Sequence, residues 1–325
     1  MPKVNKNLIR CDETTLSKDI SGKTYIVTGA NSGVGLETTR QLIKQGAHVV
    51  MACRRVDAAE GVAKSFEGLQ GSYEIIRCDL VDLQSIRDFV EVFLNKYDHL
   101  DGLSCNAGLV NMNNVPDYTS DGFESTIAVS YLGHFLLTEL LLDVLQKTES
   151  SRWLILSSVV HAGTPKNRHN LHFDDLNYKK RKFNNFAAYG EAKLACNLYA
   201  MELGERLKGT GITTASVHPG WARSNFGSGG GMLIRLIMGA VQPIIHNLTS
   251  WTDSNEDSAH TSLHVLLSDD APNHSGAYFS QHSILYRDKE CKRGGWPMKS
   301  PNPNANDMEK ARKLVAVSRE LVGLN

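Results

Sequence analysis

The sequence carries no surplus of either charge: 35 Lys and Arg balance 35 Asp and Glu. Without a basic excess, nothing in the composition argues for nucleic acid as a partner. There is no C-x-x-C pair either. The six cysteines, Cys11, Cys53, Cys78, Cys105, Cys196 and Cys291, are scattered, so neither a zinc site nor a redox pair is suggested. Cysteines in apolar stretches such as "VVMAC" read as small core residues in a reducing compartment, and a cytoplasmic protein is expected. The polar start "MPKVNKNLIRCDETTLSKDI" lacks the apolar centre of a signal peptide. The apolar run "MLIRLIMGAVQPII" is too short to span a bilayer and contains Arg235 and Pro243. No transmembrane segment is expected. No internal repeat is visible, and low complexity is limited to "GSGGG" and "PMKSPNPNAND".

What is present is an alternation. Short β-branched runs, "KTYIVTGA", "AHVVMACR", "SYEIIRCDL", "LDGLSCNAG", "RWLILSS" and "ITTASVHPG", alternate with amphipathic stretches. A final short strand is read at "GAYFS". This order predicts an α/β fold with a doubly wound parallel sheet and helices on both faces. No linker separates a second domain. Residues 1–20 are expected to form an arm, 21–325 one domain, and about 307–323 a terminal amphipathic helix.

"TGANSGVG" closes the first strand and opens the first helix. Gly29 suits a tight turn, Gly33 lets backbone approach a phosphate, and Gly35 lets the helix pack on the strand. Asn31, Ser32 and Val34 complete the loop. The helix N-terminus would face a pyrophosphate, making the sheet Rossmann-like. A mere turn is the plainer alternative. The second strand ends "MACRR", with Arg54 and Arg55 where an acid would bind a free ribose 2′-OH. Basic side chains suit a 2′-phosphate, which favours NADP(H) with Arg54 as the main contact. Two solvated arginines are the alternative. In "FAAYGEAKLACNLYA", Tyr189 and Lys193 are four residues apart, on one helix face.

In their order, "TGANSGVG", "CNAG", the serine pair 157–158, "YGEAK" and "HPG" resemble the short-chain dehydrogenase/reductase family. "YLGHFLLTELLL" and the C-terminal tail are similar to its retinol-dehydrogenase-like branch and the protochlorophyllide-reductase relatives. The resemblance implies that Tyr189 is the general acid or base, and that Lys193 binds the nicotinamide ribose and lowers the phenol pKa. It implies that Ser158 hydrogen-bonds the substrate oxygen, with Ser157 as runner-up. A phenol with a pKa of about 10 needs such help to act as a base at neutral pH. The resemblance also places Asp79 and Leu80 near adenine. Asn106, Ala107 and Gly108 line the cofactor, and Pro219 and Gly220 begin the loop over the nicotinamide.

The pattern has two departures. Ser130, in "AVSYLGHF", stands where the family has the Asn of a Ser-Tyr-Lys-Asn relay. A serine can hold a water with shorter reach, so a slower or re-plumbed relay is expected. Trp221 stands where the light-dependent relatives carry Cys, which argues against photoreduction and for an apolar wall over the substrate.

The expected substrate is a lipophilic carbonyl or alcohol. A lid is expected at about 221–255, hinged at "GSGGG". The segment between Ser158 and Tyr189 reads as a polar flap around a partly buried "LHFDDL". Its histidines, His161, His169 and His172, match no metal spacing, and no metal is expected. Its "KKRK" reads as a solvated loop. Peripheral membrane contact and a homodimer remain open. Family members pair through the fourth helix and the Tyr helix, and the tail can block that contact. Two other activities stay open: reduction of a C=C bond, and a low-turnover cofactor-binding scaffold.

Overall fold

A computed structural model of the protein describes residues 8–222, 253–283 and 286–324. The apolar runs form strands β1 (Thr24–Thr28), β2 (His48–Cys53), β3 (Ser72–Arg77), β4 (Gly102–Cys105), β5 (Arg152–Leu156), β6 (Thr213–His218), β7 (Ala277–Ser280) and β8 (Gly295–Met298). They make one sheet in the order β3-β2-β1-β4-β5-β6-β7-β8. The first seven strands run parallel, and β8 pairs antiparallel with β7. The strand order reverses at β1, which pairs with β2 on one side and β4 on the other. In a doubly wound sheet the carboxyl ends of such a pair open a crevice that takes a ligand.

The main helices are α1 (Gly33–Lys44), α2 (Val56–Ala63), α3 (Leu83–Lys96), α4 (Ser125–Lys147), α5 (Asn185–Arg206), α6 (Asn255–Leu267) and α7 (Met308–Leu321). The first six pack an apolar stripe on the sheet, and α7 packs along α5. Phe89, Phe93, Tyr131, Phe135, Leu141 and Tyr199 fill the core on the α3–α4–α5 face. Leu42, Ile43, Ala59, Leu263 and Leu266 fill the α1–α2–α6 face. Burying each large side chain contributes roughly 1.5–3 kcal/mol. Trp153 lies in the first core, fully buried, and its indole N–H donates to Thr138 Oγ1 at 2.9 Å.

Two elements differ from the sequence reading. Strand β8, "GWPM", was not anticipated. It has no β-branched run, and its proline is tolerated because the strand lies at the sheet edge. Helix α4 is long and apolar enough to cross a membrane by length and composition, whereas no transmembrane segment is expected from the sequence. However, 72% of its most apolar window is buried, so its greasy faces are spent on the core.

The described part of the N-terminal arm is tied down. Arg10 pairs with Asp257 at 2.7 Å, the Cys11 amide donates to His260 Nδ1 at 3.1 Å, and the Ile9 amide donates to Gln281 Oε1 at 3.0 Å. Most of the expected lid lies outside the described residues.

Candidate active site

The glycine loop follows β1 into α1. Gly29 and Gly33 have φ of +65° and +58°, conformations that suit glycine. A Cβ on Gly35 would stand 2.4 Å from Asn106 Nδ2 and 2.6 Å from the Gly29 carbonyl oxygen, so α1 packs directly on the neighbouring loop. Ser32 is the N-cap residue but makes no side-chain cap bond. The first-turn amides of α1 therefore remain available to an anion. Asn31 and Ser32 are half-buried beside the buried Val34.

The loop after β4 is braced from below. Thr28 Oγ1 accepts from the amides of Asn106 and Ala107 at 2.9 and 3.0 Å, and Asn106 Nδ2 donates to the Thr28 carbonyl at 2.9 Å. Thr28 Oγ1 also meets His134 Nε2 at 2.9 Å. Burial pushes the His134 ring down to about 3, with the nearby Lys193 charge acting in the same direction, so it stays neutral. Neither Thr28 nor His134 was singled out as a site residue. Thr28 opens the quoted "TGANSGVG", and His134 lies in the quoted "YLGHF".

Arg54 and Arg55 stand exposed at the end of β2, with no acid beside them in sequence. Asp79 follows β3. Its Oδ1 accepts from the Val81 amide at 3.3 Å, and Arg77 Nη2 lies 3.9 Å from its Oδ2. Leu80 is buried, and its carbonyl lies close against Gly133 of α4: a Cβ there would be 2.7 Å away.

Helix α5 carries Tyr189 and Lys193 and is capped by Asn184, which accepts from the Ala187 amide at 2.9 Å. Both side chains are buried. Lys193 Nζ donates to the Leu156 carbonyl at 2.6 Å and lies 5.6 Å from the centre of the Tyr189 ring. An ammonium has three N–H groups, so donors remain for a further ligand. A Cβ on Gly108 would be 3.5 Å from Lys193 Nζ, in ordinary van der Waals contact with the ammonium.

The serine pair divides its work. Ser157 Oγ donates to the Lys193 carbonyl at 2.9 Å. Ser158 is hydrogen-bonded to the Tyr189 phenol and accepts from the Val160 amide at 3.3 Å. Burial holds the Tyr189 phenol well above its ordinary range, and the Ser158 bond opposes this in part. Burial also pushes the Lys193 ammonium down. In the protein alone, burial outweighs the Ser158 bond and holds the phenol up.

Ser130 lies in a π-helical turn, 128–132, within α4. Such a turn inserts an extra residue into a helix. Ser130 Oγ accepts from the Leu109 amide and donates to the Leu109 carbonyl, both at 3.3 Å. No hydrogen bond joins it to Lys193, and the two groups flank Gly108. Gly220, at φ +97°, packs against Asp253: a Cβ would be 2.5 Å from its Oδ2. Pro219 is buried beside it, and Trp221, 48% exposed, donates its amide to Asp253 Oδ2 at 3.2 Å. The structure thus brings Ser130, Ser158, Tyr189 and Lys193 to the ends of β4 and β5. Trp221 follows β6, with its side chain exposed.

The short chain dehydrogenase family profile matches residues 23–168. Human retinol dehydrogenase 13 is 38% identical over 94% of this chain and 86% of its own length. Bovine retinol dehydrogenase 12 is 38% identical over 93% and 87%. The chain is a short-chain dehydrogenase/reductase. Within that family of oxidoreductases it is retinol-dehydrogenase-like. A solved structure of an uncharacterised protein from Mycobacterium paratuberculosis superposes with a TM-score of 0.71, at 26% identity over 99% of this chain and 98% of that one. This short-chain dehydrogenase/reductase holds no group of three or more His, Cys, Asp or Glu side chains arranged for a metal among its described residues.

Proposed function

We propose that the protein interconverts a lipophilic aldehyde or ketone and its alcohol, using NADP(H). The observation that carries this reading is the buried Tyr189 phenol, hydrogen-bonded to Ser158 and sharing a helix face with Lys193. When bound, the nicotinamide cofactor supplies or accepts the hydride. The chain's own residues do the rest.

The α1 amides and the glycine turn suit a pyrophosphate, and Asn106, Ala107, Gly108, Pro219 and Gly220 would line the nicotinamide half. Asp79 and Leu80 would line the adenine half. The spare N–H groups of Lys193 suit ribose hydroxyls. Arg54 suits a 2′-phosphate, which is the reason to prefer NADP(H) over NAD(H). Ser158 orients the carbonyl oxygen, and Tyr189 Oη delivers a proton to it. As a phenol Tyr189 would donate to the carbonyl oxygen in reduction, and as a phenolate it would accept the alcohol's proton in oxidation. Alcohol oxidation would need extra positive charge close to the phenol.

The lipophilic substrate class rests on the retinol dehydrogenases among the relatives. A cytoplasmic location with peripheral membrane contact is part of the same reading. The test is NADPH oxidation across hydrophobic aldehydes, ketones and enones, with NADH beside it. Turnover with carbonyls and a preference for NADPH that Arg54→Asp reverses supports the reading. Turnover confined to enones moves the activity to C=C reduction. Tight NADPH binding without any turnover favours the scaffold.

A further inference from the structure

The Pro/Asn-rich segment at 300–306 and the histidines after Ser158 take no part in the proton chemistry, yet they meet beneath it. His161 Nδ1 lies 2.6 Å from the Ser158 carbonyl oxygen. A carbonyl only accepts, so Nδ1 carries the proton and Nε2 is left as an acceptor. Ser300 Oγ lies 2.6 Å from Nε2 and donates to it. The two partners thus select one neutral tautomer. The ring is fully buried, and burial pushes it down to about 4, so it stays neutral at physiological pH.

Asn302, also fully buried, extends this link to the other side of the site. Its Nδ2 donates to the His161 carbonyl and to the His169 carbonyl, each at 2.9 Å. Its Oδ1 accepts from the Asn304 amide at 3.0 Å, and Asn304 Nδ2 adds a second bond to His169 O at 2.8 Å. The His169 ring packs against α5 at Gly190, the residue after Tyr189: a Cβ there would be 2.3 Å from His169 Nε2. One amide therefore holds both the turn that carries Ser158 and the chain that packs beside Tyr189.

We propose that Ser300, His161 and Asn302 form a clamp that fixes Ser158 against Tyr189, acting as positioning residues for proton transfer. The inference rests on the reading of Ser158 and Tyr189 as the proton-handling pair. Ser158 sits at the start of a single 3-10 turn, 159–162, a soft place from which to aim a hydroxyl. A buried polar network in which every member is satisfied stiffens such a place. Displacing a reacting group by about 1 Å costs on the order of 100-fold in rate. The tail segment thereby becomes part of the site's architecture, from more than a hundred residues away.

The test compares His161→Ala, His161→Asn and Ser300→Ala with the native protein. Each is assayed for kcat, KM and NADPH affinity on the best carbonyl substrate. An asparagine amide reproduces the Nδ1 donor to Ser158 O but not the acceptor facing Ser300. His161→Ala is expected to lose about tenfold or more in kcat with NADPH affinity unchanged, and His161→Asn to recover most of it. Ser300→Ala is expected to lose a few-fold, and it carries the test should His161→Ala fail to fold. Native kcat in His161→Ala, or an equal loss in His161→Asn, overturns the proposal.

A native protein with no carbonyl turnover sinks the proposed function instead, and the clamp is then judged by the His161 ring-nitrogen NMR shifts. An Nδ1-protonated ring that moves in Ser300→Ala supports the clamp, and a ring indifferent to that change overturns it.

Discussion

Three neutral histidines set the pH response of this fold at the level of single residues. His134, His161 and His218 are buried, and burial pushes them to about 3, 4 and 3. In the unfolded chain each takes up its proton near pH 6.5. Between those values the unfolded state binds more protons, so stability is complete above about pH 6.5 and falls as pH drops below it. Each histidine steepens the fall by about 1.4 kcal/mol per pH unit. Urea unfolding at pH 7, 6 and 5 is expected to show this loss, with stability recovering fully on return to pH 7. A flat profile across that range contradicts the neutral assignment. Residues of this kind were the least legible in the sequence. Tyr189 and Lys193 could be paired because their spacing is local. Thr28 meets His134, and His161 meets Ser300, only through the fold.

At the scale of elements, the π-turn in α4 and the flap before α5 show where sequence reading succeeds and stops. Strand and helix alternation was readable because period and turn chemistry are local. The π-turn leaves no such mark, although it carries Ser130. Because Ser130 Oγ is engaged with Leu109 and makes no bond to Lys193, any link between them passes through a third group. Ser130→Asn lengthens that reach. It is expected to change kcat several-fold and to move the pH profile of the reaction, and kinetics identical to native would remove Ser130 from the relay. The flap illustrates the opposite case. "KKRK" read as a solvated loop, and Lys179, Lys180 and Lys182 are exposed. Arg181 is not: it pairs with Glu191 of α5 at 3.0 Å and stacks on Tyr178. Asp175 accepts from the amides of Lys179, Lys180 and Arg181 and anchors the turn.

At the scale of the whole molecule, the tail decides what the α4–α5 face can do. Helix α7 packs along α5, with Leu314 and Ala311 fully buried. Ser318 Oγ meets the Tyr131 hydroxyl at 2.8 Å, and Arg319 reaches Glu139 of α4 at 2.8 Å, where Arg206 also binds. The face through which the family resemblance would pair two copies is thus covered by the chain itself. Sedimentation at micromolar concentration is expected to give a monomer or a dimer insensitive to α5 surface changes. A dimer broken by charge placed on α5 contradicts this.

Proton delivery by the Tyr189 phenol is tested by NADPH oxidation with the best hydrophobic carbonyl, comparing native protein and Tyr189→Phe. The variant is expected to lose roughly 10²–10⁴-fold in kcat with NADPH binding retained. A Tyr189→Phe protein that turns over at the native rate contradicts it.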